Sequence, residues 1–364
     1  MRSIGPQGLS ASAMEIAATM STQSETLAAH RAVTSVAQPQ RGLSRSVLLA
    51  GLATLAWLAS AALTQWWPSL DDWPYTSALI VLELALAVIA ALSGIAGWRA
   101  APRAFEQPGR LDAWLAAMPW LLALALGISA WEALTAKLEW LPRPFFAPPQ
   151  ALLGVYADDF PRLATSVAHS FGLLAFGYVL GAITGFVVGV SIGWSRAVSY
   201  WLHPVLRLIG PLPATAWLPL AFFFFPSSFS ASVFLIALAT AFPVTVLTWS
   251  GVAGVNTAYY DIARTLGARP RFLILKVAIP AALPSVFVGL FMGLGASFSV
   301  LIVAEMMGVK AGLGWYLQWA QGWAAYSNMY AALLVMALMC SGLITLLFRF
   351  RDRLLAWQKG LLKW

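Results

Sequence analysis

Eight stretches of this chain are apolar for about twenty residues each, the length an α-helix needs to cross a hydrocarbon layer at about 1.5 Å per residue. They cover 47–67, 77–98, 113–136, 166–193, 205–226, 229–250, 285–308 and 329–350, and polar residues gather between them. Backbone groups in hydrocarbon must pair within their own segment, so runs of this kind are helices. The pattern predicts an all-α integral membrane protein of about eight spans.

The connections differ in kind. Residues 1–40 are rich in Ala, Ser, Thr and Gln without apolar periodicity, and read as a disordered cytoplasmic tail. The stretch 99–112 (RAAPRAFEQPGRLD) is polar, carries two prolines and marks the main internal boundary, with a two-span hairpin and linker (41–110) before it. The stretch 142–149 (PRPFFAPP) has four prolines in eight residues. It predicts an extended strap leading into a short helix near 150–160. In 203–219 (HPVLRLIGPLPATAWLP) prolines stand at 204, 211, 213 and 219, so a helix there is interrupted. Two readings remain open for Pro211 and Pro213: a kink at the membrane boundary, or a discontinuous helix lining a solute path as a gate.

Composition narrows the class. The chain has 364 residues, 60% hydrophobic and 10% charged, against roughly a quarter charged in soluble domains. Soluble enzymes, DNA-binding proteins and disordered chains are excluded. The net charge of +8 belongs to topology, not to nucleic-acid binding. Of 22 basic residues, only Lys137, Arg143, Arg162 and Lys310 fall in loops outside, if both termini lie inside. That skew predicts N-in, C-in and an even number of spans. Cys340 stands alone and His30, His169 and His203 lie far apart, so no metal site is expected. No G-x-x-x-x-G-K-[ST], H-E-x-x-H, G-x-S-x-G or C-x-x-C occurs, so neither a catalytic residue nor a phosphate cradle is expected on this chain.

Within the spans only Glu83, Glu132 and Glu305 are clearly ionisable. Glu83 and Glu132, near span ends, read as boundary residues. Glu305, in IVAEMMG, has three readings: a group lining the translocation path or gating it, a partner of an Arg, or a boundary residue snorkelling to water. Small residues form a second pattern. Gly177, Gly181, Gly185, Gly189 and Gly193 recur every four residues, and Gly289 and Gly293 repeat the spacing. They predict close helix packing, with the fourth and seventh spans crossing.

The loop 251–284 (GVAGVNTAYYDIARTLGARPRFLILKVAIPAALP) is too ordered to be a tether. Asn256 or Thr257 suits a helix N-cap, and Gly267 suits a left-handed C-terminal position. Asp261, Ala263, Leu266 and Gly267 recur at helical neighbour spacing, and the small residues 263 and 267 permit close approach of another surface. Arg264, Arg269, Arg271 and Lys276 make the loop positive.

The run D-I-A-R-T-L-G, nine residues, then V-A-I-P resembles the signature E-A-A, three residues, G, nine residues, I-x-L-P of permease subunits of ATP-binding-cassette importers. Asp261, Ile262 and Ala263 stand at the E-A-A positions, Gly267 at the glycine, and Val277, Ile279 and Pro280 at I-x-L-P. Aspartate for glutamate shortens the acidic arm, and Ile262 is bulkier than alanine. The strap and helix LPRPFFAPPQALLGVYAD, the broken segment and FSVLIVAEMMGVKAGLGWYL are similar to the nitrate, sulfonate and taurine branch.

The resemblance implies a six-span permease domain over 111–364 in a bacterial inner membrane, with the hairpin as an addition. It implies a cytoplasmic ATPase dimer that carries ATP and Mg and grips the loop helix as a coupling helix. It also implies a second permease copy, most simply a homodimer, and a periplasmic solute-binding protein. The cargo would be a small anion, or a pyrimidine or thiamine precursor on the same machinery. A stand-alone secondary transporter or channel is the alternative of a different class; it would call for more intramembrane charge and no docking loop.

Overall fold

The computed structural model describes residues 39–100 and 114–357. Of the expected tail (1–40), residues 1–38 lie outside the described residues and Pro39 and Gln40 begin the first helix; residues 101–113, with most of the polar linker (99–112), and 358–364 also lie outside the described residues. All regular structure among the described residues is helical. Seven helices are long and apolar enough to cross a membrane, or eight spans if one bent pair counts as a span. The described residues form two compact units, one ending at Pro142 with Pro148–Gln150 added, the other comprising Arg143–Ala147 and Ala151 onward.

The first unit holds α1 (Pro39–Trp66), α2 (Thr76–Ala100) and α3 (Met118–Glu132), which continues through a π-helical turn, Ala133–Lys137. The helices meet through small residues: Ala50, Ala53, Ala87, Ala90 and Ala125 are buried around Trp57 and Met118. Alanine lets backbones approach closely, and van der Waals contact is the available attraction where lipid is as apolar as the helix. Glu83 and Glu132 are not boundary residues; both are fully buried, and so is the side chain of Lys137, expected in a loop. A carboxylate in this setting needs donors, and the chain supplies them. Ser60 Oγ donates to Glu83 Oε1 at 2.7 Å. Thr64 Oγ1 lies 3.1 Å from Glu83 Oε2 and 2.6 Å from Glu132 Oε2. Gln150 Nε2 donates to Glu132 Oε1 at 2.7 Å, and Lys137 Nζ stands 3.5 Å from the same oxygen. Lys137 also donates to the Thr64 and Trp67 carbonyls and to Ser69 Oγ.

The strap is followed by α4 (Pro149–Asp158). The second unit is organised around α5 (Phe160–Trp194), α8 (Ser228–Ala253) and α11 (Ile279–Gly308). α8 is central and more than half buried within the chain, whereas α13 (Tyr326–Leu354) leaves most of its surface exposed. The two glycine series face α8 rather than each other. A methyl group at Gly177, Gly185 or Gly189 would stand 2.6 Å from Ile236 Cβ, the Ala241 carbonyl oxygen or Thr248 Cβ, respectively; one at Gly193 would stand 2.7 Å from Val252 Cβ. Gly181 lies against the Ala237 carbonyl and Thr240. Gly289 and Gly293 approach α8 from another side, at Val244 and Thr240. Spacing identifies a groove on a helix but not which helix fills it.

The expected span 205–226 is not a straight helix. α6 (Arg196–Ile209) ends at a turn, and a 3₁₀ turn (Ala214–Trp217) leads into α7 (Leu218–Phe224), with 87° between the two halves. Proline at 211 and 213 removes backbone donors that a continuous helix would need. The expected span 285–308 instead begins much earlier. A short helix, α10 (Pro270–Phe272), and a π-helical stretch, Leu273–Ala278, run into α11, and Ile279 N–H donates to the Ile274 carbonyl five residues back. That wide turn accommodates the Pro280 ring, which would clash with a carbonyl in a regular turn.

Gly185→Ala should destabilise the protein by roughly 1–3 kcal/mol, because the added methyl meets a backbone oxygen that cannot yield. Gly172→Ala, on the same helix with nothing within 4 Å of the added carbon, should be neutral or slightly stabilising. Thermal melting of the two purified variants checks the contrast.

Candidate functional site

Beyond the end of α8 the chain forms α9 (Thr257–Thr265), the helix of the signature loop. Asn256 is its N-cap: the Oδ1 accepts from Ala258 N–H at 2.9 Å. The helix stops because Gly267 takes φ +80°, a left-handed conformation that costs other residues energy. Its N–H donates to the Arg264 carbonyl at 2.9 Å and that of Ala268 to the Ala263 carbonyl at 3.0 Å, a closed C-terminal cap.

One face of α9 is anchored. The Tyr260 ring meets Trp194 edge-on with centroids 5.9 Å apart, and both pack on a buried group formed by Val252, Ala278 and Ala282. Burial pushes the Tyr260 phenol above its ordinary range, against a smaller opposite pull from Arg264. The opposite face is bare. Leu266 is 83% exposed and Ile262 60%, with Tyr259 beside them. Space around Gly267 is open, and Ala263 is half-buried. Asp261 is exposed and, among the described residues, pairs with Arg264 one turn on, at 3.2 Å. Val277, Ile279 and Pro280 are half-buried in the π-helical entry to α11, so they hold the base of the loop and present little surface. Pro211 and Pro213 are exposed in the turn between α6 and the 3₁₀ segment.

Glu305 sits elsewhere, near the C-terminal end of α11, and is 1% exposed. It neither snorkels nor pairs with an Arg or Lys among the described residues. It belongs instead to a clasp joining three helices. Ser170 Oγ on α5 donates to the carboxylate, 2.6 Å from Oε1 and 2.9 Å from Oε2, and accepts the Leu313 N–H at 2.7 Å. Gly314 N–H donates to Glu305 Oε2 at 2.8 Å. Leu313 and Gly314 begin α12 (Leu313–Gly322), whose first N–H groups have no partner inside their own helix. Thus a serine distant in sequence and a glutamate nine residues before Gly314 cap this helix, and the carboxylate faces the positive end of its dipole. Close approach requires the glycines. Gly312 takes φ +120° and a side chain there would collide with the carboxylate; at Gly314 it would stand 2.6 Å from the Ile302 carbonyl and 2.8 Å from Glu305 Cβ. G-x-G a few residues after an intramembrane glutamate is the signal that would have found this arrangement; Ser170 carries none.

α12 is tied to the start of α5 as well. Tyr316, fully buried, donates to Asp159 Oδ2 at 2.7 Å and accepts from Asn328 at 2.6 Å. Burial lifts the Tyr316 phenol above its ordinary range. The Arg162 guanidinium lies 4.5 Å from the Trp319 ring centre.

Glu305→Gln removes a charge-assisted acceptor from two buried donors and should cost roughly 1–3 kcal/mol. Gly314→Ala should cost at least as much, since the new methyl meets the same glutamate and a backbone carbonyl. If thermal melting showed both variants unchanged, the clasp would not be holding α12.

Comparison with known proteins places the chain. Residues 177–359 match the family described as the binding-protein-dependent transport system inner membrane component. The nitrate import permease protein NrtB of Synechococcus elongatus is 26% identical over 252 residues, covering 66% of this chain and 88% of that protein. The putative aliphatic sulfonates transport permease protein SsuC of Bacillus subtilis is 33% identical over 190 residues, covering 52% and 66%. The bicarbonate transport system permease protein CmpB of Synechococcus elongatus is 33% identical over 195 residues, covering 52% and 66%. With half its length inside the family match and its helices long enough for a multi-pass membrane protein, this chain belongs to the inner-membrane components of binding-protein-dependent transport systems.

Proposed function

We propose that this chain is the permease subunit of an ATP-driven importer of small anions, of the class to which nitrate, sulfonates and bicarbonate belong. In this reading α9 is the coupling helix, and Asp261, Ile262, Ala263, Leu266 and Gly267 form the surface that a separate cytoplasmic ATPase grips. The observation that carries it is the bare face of α9: a nine-residue helix outside the long apolar spans, capped at both ends, anchored by Tyr260, with Ile262 and Leu266 exposed. An isolated helix this short is not stable in water, so it is held by its anchored face and the other face is left to a partner. Exposed leucine and isoleucine beside an open glycine fit insertion into an apolar cleft.

A rigid helix transmits force. ATP-driven closure of an ATPase dimer would move two such helices, one from each of two permease copies, and through Tyr260, Ala278 and Ala282 it would displace the inner ends of α5, α8 and α11. Alternating access then follows from rigid-body motion, and no catalytic group is needed on this chain; ATP and Mg belong to the partner. A periplasmic solute-binding protein would deliver the anion at the other face. The relatives' names support the cargo class, and the buried placement of Glu305 supports it too, since no acid is presented to a passing anion there. The broken segment with Pro211 and Pro213, which cannot be regular helix at that point, is the best candidate for a gate.

Leu266→Asp and Gly267→Arg should each leave the chain in the membrane but abolish its co-purification with its ATPase partner. Gly267→Ala separates strain from surface: it perturbs the cap without adding bulk, and should retain most of the binding. Full ATPase binding and anion uptake by the Leu266→Asp variant would remove α9 as the coupling element.

A further inference from the structure

The buried cluster of the first unit has more acceptors than protons to give them. Thr64 has one hydroxyl proton, yet its Oγ1 is within hydrogen-bond distance of the Ser60 carbonyl, Glu83 Oε2 and Glu132 Oε2. Gln150 is fully buried, its Nε2 is on Glu132, and its Oε1 has no donor among the described residues. Both carboxyl groups are fully buried, and only one cation, Lys137, is with them among the described residues. Two ionised carboxylates sharing one hydroxyl in an apolar surround would repel each other without compensation.

We propose that this cluster is a proton-binding site, and that Glu83 is the carboxyl group that holds the proton. The shorter contact assigns the Thr64 proton to Glu132 at 2.6 Å, leaving the 3.1 Å contact to be made by a Glu83 O–H donating to Thr64 Oγ1. Glu83 Oε1 then accepts from Ser60 as a neutral carbonyl oxygen. Glu132 remains ionised, holding donors from Thr64 and Gln150, with Lys137 as its counter-ion. The charges sum to zero: a neutral acid, one carboxylate and one ammonium. Every group facing Glu83 is accounted for, with Ser60 and Thr64 from α1 and Glu132 and Lys137 from the end of α3 and its π-helical turn. Such a cluster joins α1, α2 and α3 without leaving a net charge in hydrocarbon, so the hairpin is tied to the helix that follows it. This assignment is independent of the transport reading.

The two glutamates are therefore not equivalent, and the difference is measurable in the full-length chain in lipid at neutral pH. The infrared difference spectrum of wild type minus E83Q should show the loss of a protonated carboxylic-acid carbonyl band. E83Q should melt close to wild type, since an amide reproduces the neutral acid and its donor. E132Q, which strands the buried Lys137, should melt several degrees lower, and E132Q/K137M should recover part of that loss. A difference spectrum showing loss of an ionised carboxylate band from E83Q, or E83Q as destabilised as E132Q, overturns the assignment; the spectrum decides it even if E132Q cannot be purified.

Discussion

A polar group inside an apolar slab must be satisfied by its own chain, and the two most informative regions of this protein are arranged around that constraint. Water is absent to repair a missing hydrogen bond, so each buried carboxyl group draws in donors from helices far apart in sequence. Glu305 gathers Ser170 from α5 and the Gly314 amide of α12. Glu83 and Glu132 gather Ser60, Thr64, Lys137 and Gln150. In each case an energetic liability becomes a joint between helices, because the donors can be reached in only one relative placement. A helix cap made by a glutamate of the preceding helix also removes the freedom of the loop between them, here the glycine turn at 312–314.

Between those joints, contact is made by absence of side chain. α8 receives glycine faces from two helices, and its threonines and small residues meet backbone at distances that admit no extra carbon. These contacts hold α5, α8 and α11 closely together. Beyond the end of α8 stands α9, whose Tyr260 is set against Trp194 and whose other face is exposed. In the proposed coupling that exposed apolar face is the handle and the packed helices are what it moves. The prolines of 203–219 mark the place where the backbone departs from regular helix at 87°.

Much was legible from the order of residues alone. Long apolar runs determined helices, because hydrocarbon allows a chain little else. Proline positions located the broken segment, and D-I-A-R-T-L-G with its glycine located the loop helix, its cap and its end, since caps and left-handed glycines are local properties. What the order of residues could not determine was partnership. Glycine spacing showed that α5 and α11 each have a groove, but only the packed structure decided that α8 fills both. Glu83 and Glu132 read as boundary residues and Lys137 as a loop residue because their positions at span ends suggested water; the fold instead buried them against residues up to 73 positions away. Glu305 looked like a group seeking water or an arginine, and tertiary structure gave it a serine hydroxyl and one backbone amide. One-dimensional pattern encodes the local cost of a conformation, whereas the solvation of a buried charge depends on which distant donors the fold brings within 3 Å.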